Sequence, residues 1–227
     1  MLGSETDTLD CEGEVTRRFE GELPGREEVE QALATFRGDV QQVPPMYSAV
    51  KKDGVPLHKL ARQGQEVERE PKWVTIESLE LIRFAPPELD VRVLCSGGTY
   101  VRVLAADLGQ RLGCGAHLGA LRRTRSGPFV LEAAHDFETL ESAADAGKID
   151  ELLIEPTEAL GFPVHRVAGE QRLRIQHGGD LAVPDLHRVP PGSRISVVDE
   201  AGAFLAVGEI RADRRLWPLR VLPPEPV

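Results

Sequence analysis

The chain has 227 residues, 41% hydrophobic, with 37 acidic against 27 basic side chains and a net charge of −10. That length allows one large domain, or a medium one followed by a small one, with enough apolar content for a packed core. No apolar run is long enough to span a bilayer, and the acidic start does not read as a secretory signal. Three widely spaced cysteines, Cys11, Cys95 and Cys114, argue against a disulfide framework and for a reducing, cytoplasmic setting.

The acidity is unevenly placed. Residues 1–30 carry a balance of −7 and residues 131–158 of −8, whereas 31–130 carry +4 and 159–227 carry +1. A local positive face, not a positive average, is what a phosphate backbone needs, so the overall acidity does not exclude a nucleic-acid partner.

In chain order, Glu27 to Phe36 predicts a helix, because Val29, Leu33 and Phe36 share one face and Gly38 follows as a stop. Pro44-Pro45 interrupts regular structure, and Leu57 to Gln63 predicts a short helix ended by Gly64. Trp73 to Phe84 alternates partially, and Leu89 to Ser96 clearly, so both predict strands. Gly97-Gly98 forms a turn, after which Tyr100 to Leu112 predicts a helix with Val103, Leu104 and Leu108 facing inward. Ala116 to Thr124 and Gly127 to Leu131 read as a strand pair or a bulged strand. Phe137 to Ala146 and Ile149 to Leu153 read as short acidic helices, and Pro156 to Pro163 as a linker. Beyond it, Arg172 to Gln176, Arg194 to Val198, Phe204 to Ile210 and Leu216 to Leu222 lie between turn signals, the grammar of a small β-barrel ahead of a proline-rich end.

Several stretches carry chemistry. Tyr100 and Arg102 lie two apart where a strand gives way to a helix, so in extended chain an aromatic ring and a guanidinium share one face. A flipped-out base uses an aromatic or hydrogen-bonding neighbour, and a reactive carboxylate uses an arginine to keep it ionised and aimed. The plain alternative is a core tyrosine beside a surface arginine. Leu121 precedes Arg122, Arg123 and Arg125, either a core leucine next to a solvated basic run or an apolar contact flanked by phosphate ligands. Lys51, Lys52, Lys59 and Arg62 offer further positive charge, with a solvated surface as the default reading. Cys95, Cys114 and His117 make half a zinc pattern with no second pair to complete it. His135-Asp136 has no nucleophile elbow to serve, and no glycine-rich loop ending in Lys-Ser or Lys-Thr marks a nucleotide triphosphate site.

Taken together, the phrases Pro45-Met46-Tyr47-Ser48-Ala49-Val50-Lys51, Ser96-Gly97-Gly98-Thr99-Tyr100-Val101-Arg102, Asp107-Leu108-Gly109, Gly115-Ala116-His117 and Leu121-Arg122-Arg123 resemble the bacterial TruB-type tRNA pseudouridine-55 synthases. Gly3-Ser4-Glu5-Thr6-Asp7-Thr8-Leu9-Asp10 resembles that family's Gly-x-x-Thr-Asp-Thr-x-Asp motif. The resemblance implies an α+β fold. A pseudouridine-synthase catalytic domain, a mixed sheet with flanking helices, would occupy 1–158, and a small PUA-like β-barrel 162–227. It implies an isomerase that converts uridine 55 in the T-arm of tRNA to pseudouridine without cofactor or metal. It places Tyr100 against the target base, Leu121 beneath it and Arg102 as ion-pair partner of the catalytic aspartate, with Lys51, Arg122, Arg123 and Arg125 as weaker RNA contacts. tRNA is the implied partner, with no membrane association.

The family's nucleophile lies in a Gly-x-Leu-Asp-Pro segment, and no Leu-Asp-Pro occurs among the 227 residues. A tyrosine in a Lys-Arg-Tyr phrase, which stacks on the uracil in the family, has no counterpart either. Under the resemblance both would precede Met1. The expectation is therefore a truncated product or a start codon assigned too far downstream, incomplete at its N-terminus, with open sheet edges that favour association and with no turnover of its own. Asp7 and Asp10 belong to a different motif and are not expected to take the nucleophile's place at Arg102. The alternative is a non-catalytic tRNA-binding or tRNA-folding protein; an acidic protein-interaction module is disfavoured by the motif set.

Overall fold

A computed structural model of the chain describes residues 1–223. The chain divides into two compact units, 1–122 and from 123 onward. In the first, β1 (Ser4–Thr6) and β2 (Val15–Arg18) pair antiparallel. Helix α1 (Arg26–Ala34) follows, its N-terminus closed by the Glu28 carboxylate, which accepts from the Gly25 amide at 2.8 Å. Next come β3 (Gly38–Gln42), a tiny hairpin of β4 (Lys51–Lys52) and β5 (Val55–Pro56), and α2 (Leu57–Arg62). The long strands β6 (Lys72–Ala85) and β7 (Glu88–Cys95) lead to α3 (Val101–Arg111).

Strands β3, β6 and β7 form an antiparallel sheet in that spatial order. An irregularity in the pairing between Ile76 and Ser78 brings Ile76 and Leu79 of β6 to one face, where they meet Val29, Ala32 and Leu33 of α1 and Leu104 and Leu108 of α3. Val103 is buried with them on α3, so the inward face read from the sequence is the face the helix uses. Leu2, Cys114 and Ala116 close this core from the two ends of the first unit.

The stretch 116–124 differs from the expected strand. It makes only two isolated bridges, Leu2 with Ala116 and Asp10 with Leu118, because the N-terminal segment, and not a neighbour in sequence, takes its hydrogen bonds. The hairpin that does form lies later, β8 (Arg125–Ser126) with β9 (Phe129–Val130), in the second unit.

That unit continues with a 3-10 turn (Leu131–Ala133), α4 (Phe137–Asp145), a second 3-10 turn (Ile149–Leu152) and α5 (Pro156–Leu160). Asp136 caps α4 by accepting from the Thr139 amide at 2.9 Å, which gives the His135-Asp136 pair a local structural task. Segment 156–163, read as a linker, holds α5. Pro156 supplies a preset φ in the first turn, and Gly161 ends the helix in the left-handed region at φ 62°. Nothing between 124 and 163 enters either core cluster, and Phe137 stays 84% exposed.

Strand β10 (Val164–Arg166) precedes α6 (Gly169–Gln176), β11 (Leu181–Ala182), a 3-10 turn (Pro184–Leu186), β12 (Arg194–Val198), β13 (Phe204–Ile210) and β14 (Arg215–Val221). Arg172 to Gln176, expected as a strand, is helical. In so short a segment two apolar residues two apart fit either period, and here Ile175 alone is drawn fully into the core. The five strands order as β10-β12-β13-β14-β11, with β10 parallel to β12 and the other pairs antiparallel. Ile195, Val197, Leu205, Ile210 and Leu216 form its core with Ile175 and Val167. The tail 224–227, including part of the proline-rich end, lies outside the described residues.

Asp180 ties α6 to β14: one carboxylate oxygen meets Arg174 at 3.0 Å and the other meets Arg215. Hydrogen bonds from Arg215 and then Arg174 pull its carboxyl down to about 2. A folded-state value below the ordinary carboxylate range means that the clamp stabilises fully above that range and is lost as pH falls toward about 2. Asp180→Asn is accordingly expected to lower the urea midpoint at neutral pH, with the gap to the parent closing as pH drops from about 4 to about 2. A gap independent of pH would show that the ion pairs are not its cause.

Candidate active site

The site is assembled in the first unit by three stretches far apart in sequence. Gly98, at φ +86°, makes the sharp turn out of β7 that only glycine takes without strain. Tyr100 then stands as the N-cap of α3 in extended conformation. Its backbone is gripped from both sides by the buried Gln42 amide, which accepts from Tyr100 N–H at 3.0 Å and donates to Tyr100 C=O at 3.3 Å. The end of β3 therefore sets the start of α3, and with it the direction of Arg102 in the first helical turn.

Arg102 Nη1 donates to Asp10 Oδ2 at 3.0 Å, and Nη2 donates to the Tyr47 carbonyl. The two charged side chains are 22% and 20% exposed, partly withdrawn from water, where an ion pair is stronger than at an open surface. Asp10 is itself held: the Thr8 hydroxyl donates at 2.6 Å and the Glu12 amide at 3.2 Å. Burial pushes the Asp10 carboxyl up, but hydrogen bonds from Thr8 and Arg102 outweigh it and leave it below the ordinary carboxylate range. Asp10 is thus ionised at neutral pH, an acceptor and not a proton donor.

The sequence assigned Asp10 to a different motif from the nucleophile's and did not place it at Arg102; the structure brings it there as the arginine's ion-pair partner. The physical reason is the turn at 7–14. Asp7 takes the Glu14 amide at 2.9 Å, and Leu9 adopts a left-handed φ of 66°. Together they fold the end of the motif back so that Asp10 bridges to Leu118 and its carboxylate reaches across to α3. Asp7 stays exposed and does not join the pair. Tyr47 lies in one of the phrases that carry the resemblance. It contributes its carbonyl to Arg102, and the loop that presents it is tied down by His58, whose backbone amide donates to Ser48 C=O at 3.1 Å.

The other expected residues are placed as follows. Leu121 is 60% exposed, an apolar side chain without a packing partner in either core. That removes the core-leucine reading. Arg122 is exposed beside it, and Lys51 is exposed on β4. Arg123 and Arg125 fall in the second unit, both exposed, with Arg125 Nε donating to Gly127 C=O at 2.9 Å. Cys114 is buried, and the His117 ring meets the Ser4 carbonyl at 3.1 Å. Among the described residues no three His, Cys, Asp or Glu side chains gather as a metal site would need, and no helix is long and apolar enough to cross a membrane.

Arg102 retains N–H groups without a partner among the described residues. A guanidinium has five donors, so this one can hold Asp10 and accept a second carboxylate at the same time. An arginine so fixed, with donors to spare, is suited to orienting an acid.

Residues 1–101 match the TruB family pseudouridylate synthase N-terminal domain, and residues 102–160 match the tRNA pseudouridylate synthase B C-terminal domain. The chain is 47% identical over 225 residues to tRNA pseudouridine synthase B of Pseudomonas paraeruginosa, covering 97% of this chain and 73% of that protein. It is 43% identical over 223 residues to the protein of the same name from Dechloromonas aromatica, covering 97% and 72%. Among solved structures, a chain of a Cbf5-Nop10-Gar1 complex superposes with a TM-score of 0.66 at 23% identity, covering 90% of this chain and 63% of that one. A chain of an H/ACA RNP bound to a substrate RNA containing 2'-deoxyuridine superposes with a TM-score of 0.63 at 20% identity, covering 91% and 63%. The chain thus spans less than two thirds of these solved chains, and at such identities they speak for the fold alone. The sequence relatives go further, and on them the chain belongs to the TruB family of pseudouridylate synthases.

Proposed function

We propose that this chain recognises the T-arm of tRNA and carries the base-binding part of a tRNA pseudouridine-55 synthase site. The observation that carries the reading is the fixed Arg102, paired with Asp10 and aimed by the Gln42 grip on Tyr100. In this reading uridine 55 leaves the stack, Tyr100 meets its ring, and Leu121 supplies an apolar floor. Arg102 holds the attacking carboxylate ionised while the glycosidic bond breaks and the uracil rejoins through carbon 5. Such a reaction exchanges one carbon–nitrogen bond for one carbon–carbon bond within the same nucleotide, so it calls for no redox or metal chemistry. Arg122, Arg123, Arg125 and Lys51 supply phosphate contacts, with affinity falling as salt rises. We assign 162–227 a PUA-like role in RNA binding, on its small antiparallel-rich sheet, and the chain a cytoplasmic setting, on the free cysteines Cys11, Cys95 and Cys114.

A second reading, binding without turnover, is favoured by one observation: Asp10 is the sole carboxylate that meets Arg102 among the described residues, and Gly-x-Leu-Asp-Pro does not occur in the sequence. The 227-residue polypeptide is therefore expected to bind a T-arm hairpin while releasing no tritium from 5-tritiated uridine at position 55. Turnover that vanishes in Asp10→Asn would transfer the nucleophile's role to Asp10 and overturn this expectation. Failure to bind the hairpin at low salt would overturn the RNA reading itself.

A further inference from the structure

The turn between β13 and β14 carries a rigid planar cation. The Arg211 guanidinium lies over the Trp217 ring, 4.4 Å from its centroid. The ring is itself held: Trp217 Nε1 donates to Asp213 Oδ2 at 3.3 Å, while Asp213 Oδ1 accepts from the Arg215 amide at 3.0 Å. Trp217 stands on the outward face of its sheet, because its neighbour Leu216 and the paired Ile210 turn into the core. One side of the Arg211 plane is therefore backed by the indole, and the arginine is exposed.

The positive charge around this plane is not neutralised. Arg214 Nη1 donates to His187 C=O at 3.1 Å and to Val189 C=O at 3.0 Å, which brings the exposed Arg188 to the same turn. Elsewhere in this unit Arg172, Arg174 and Arg215 meet carboxylates, whereas Arg188, Arg211 and Arg214 meet none among the described residues. Of the two acids close by, Asp213 is committed to the indole and the backbone. Glu209 stands between Trp217 and Arg194 in one cross-strand row, where Arg194 balances it.

We propose that this turn binds an unpaired stretch of RNA, one base stacking on the open side of the Arg211 guanidinium and the adjoining phosphates meeting Arg188 and Arg214. The inference rests on the reading that 162–227 binds RNA, and it names the contact and the kind of RNA. A guanidinium held flat by an indole offers a stacking surface to any base, and its edge N–H groups stay free for a phosphate. A base inside a duplex has both faces covered by its neighbours, so only an unpaired base can use the plane. A planar cation beside two further arginines matches the alternation of base and phosphate along a single strand.

Fluorescence anisotropy of the full chain tests this with two labelled probes, a T-arm hairpin and an unstructured RNA of about eight nucleotides. The parent is expected to bind both. Arg211→Ala is expected to weaken binding of the unstructured RNA about tenfold, and Arg211→Lys, which keeps the charge but loses the plane, nearly as much. Arg211 is exposed on a turn, so neither change threatens the fold. The indole N–H resonance gives an independent reading. The chain has two tryptophans, so Trp73→Phe leaves Trp217 as the sole indole, and its signal is expected to shift as the unstructured RNA is added. A parent that binds the hairpin but not the unstructured RNA, affinity retained in Arg211→Lys, or an indole signal unmoved at saturation would each overturn the proposal and leave the RNA reading standing. Failure of the parent to bind either probe would overturn both.

Discussion

Replacing Gly109 with alanine is expected to destabilise the first unit by about 3 kcal/mol and to uncouple Arg102 from Asp10. Gly109 sits on the buried face of α3, two turns after Arg102. A Cβ there would lie far inside contact distance of the Ala116 backbone nitrogen, the Gly115 carbonyl carbon and the Ala116 Cβ. The opposing atoms are backbone, held in place by the Gly115 amide donating to Gly109 C=O at 3.0 Å and by the left-handed Gly115 at φ +69°. They cannot swing aside as a long side chain would, so α3 has to move. Its displacement carries Leu104 and Leu108 out of the core and Arg102 away from Asp10, whose own position is fixed by the bridge to Leu118. Urea denaturation reads the stability loss, and hairpin binding reads the loss of the site. A parent-like midpoint would show that the 115–116 backbone yields and that the close approach is not what sets the helix.

The same contact shows what was legible in the sequence. Alternation marked β7 because Leu89, Val93 and Cys95 pack partly buried against the core while Asp90 and Arg92 are exposed, the condition under which a period of two appears. Helices α1 and α3 were legible for the corresponding reason, each having one buried stripe. Helix α6 was not, since a short segment buries a single residue and carries no period. Helix α5 was hidden among prolines that read as linker, although Pro156 followed by Gly161 is also the signature of a brief helix. Within the site, Tyr100 and Arg102 were legible through the phrase that contains them. Asp10 was not joined to Arg102, because the pair spans 92 residues and depends on a turn whose left-handed Leu9 has no sequence signal. Gln42 was invisible in the same way: it acts through two backbone hydrogen bonds to a residue 58 positions away. The one available hint was a buried-strand position occupied by a polar amide, which needs partners when it is buried.

Arg102→Met and Asp10→Asn, alone and combined, are expected to show a coupling of about 1.5 kcal/mol, because each side chain is the other's charged partner in a half-withdrawn setting. Removing Asp10's charge leaves Arg102 with the Tyr47 carbonyl alone, and removing Arg102 leaves an ionised carboxylate held by Thr8 and the Glu12 amide. The second loss is the milder for folding, since Asp10 keeps hydrogen bonds that hold its charge in place. For function the order reverses. Asp10 positions a guanidinium, whereas Arg102 is the group the proposed site presents to the nucleotide, so Arg102→Met is expected to weaken T-arm hairpin binding more than Asp10→Asn does. Acid separates the two roles further. Since the Asp10 carboxyl lies below the ordinary range, the pair persists at pH 5 and is lost only as pH falls through that depressed value. The coupling measured in the cycle should therefore be the same at pH 7 and at pH 5 and collapse only as pH falls below the ordinary carboxylate range. A coupling that already fades between pH 7 and pH 5 would place the titrating group elsewhere and remove Asp10 as the residue that holds Arg102.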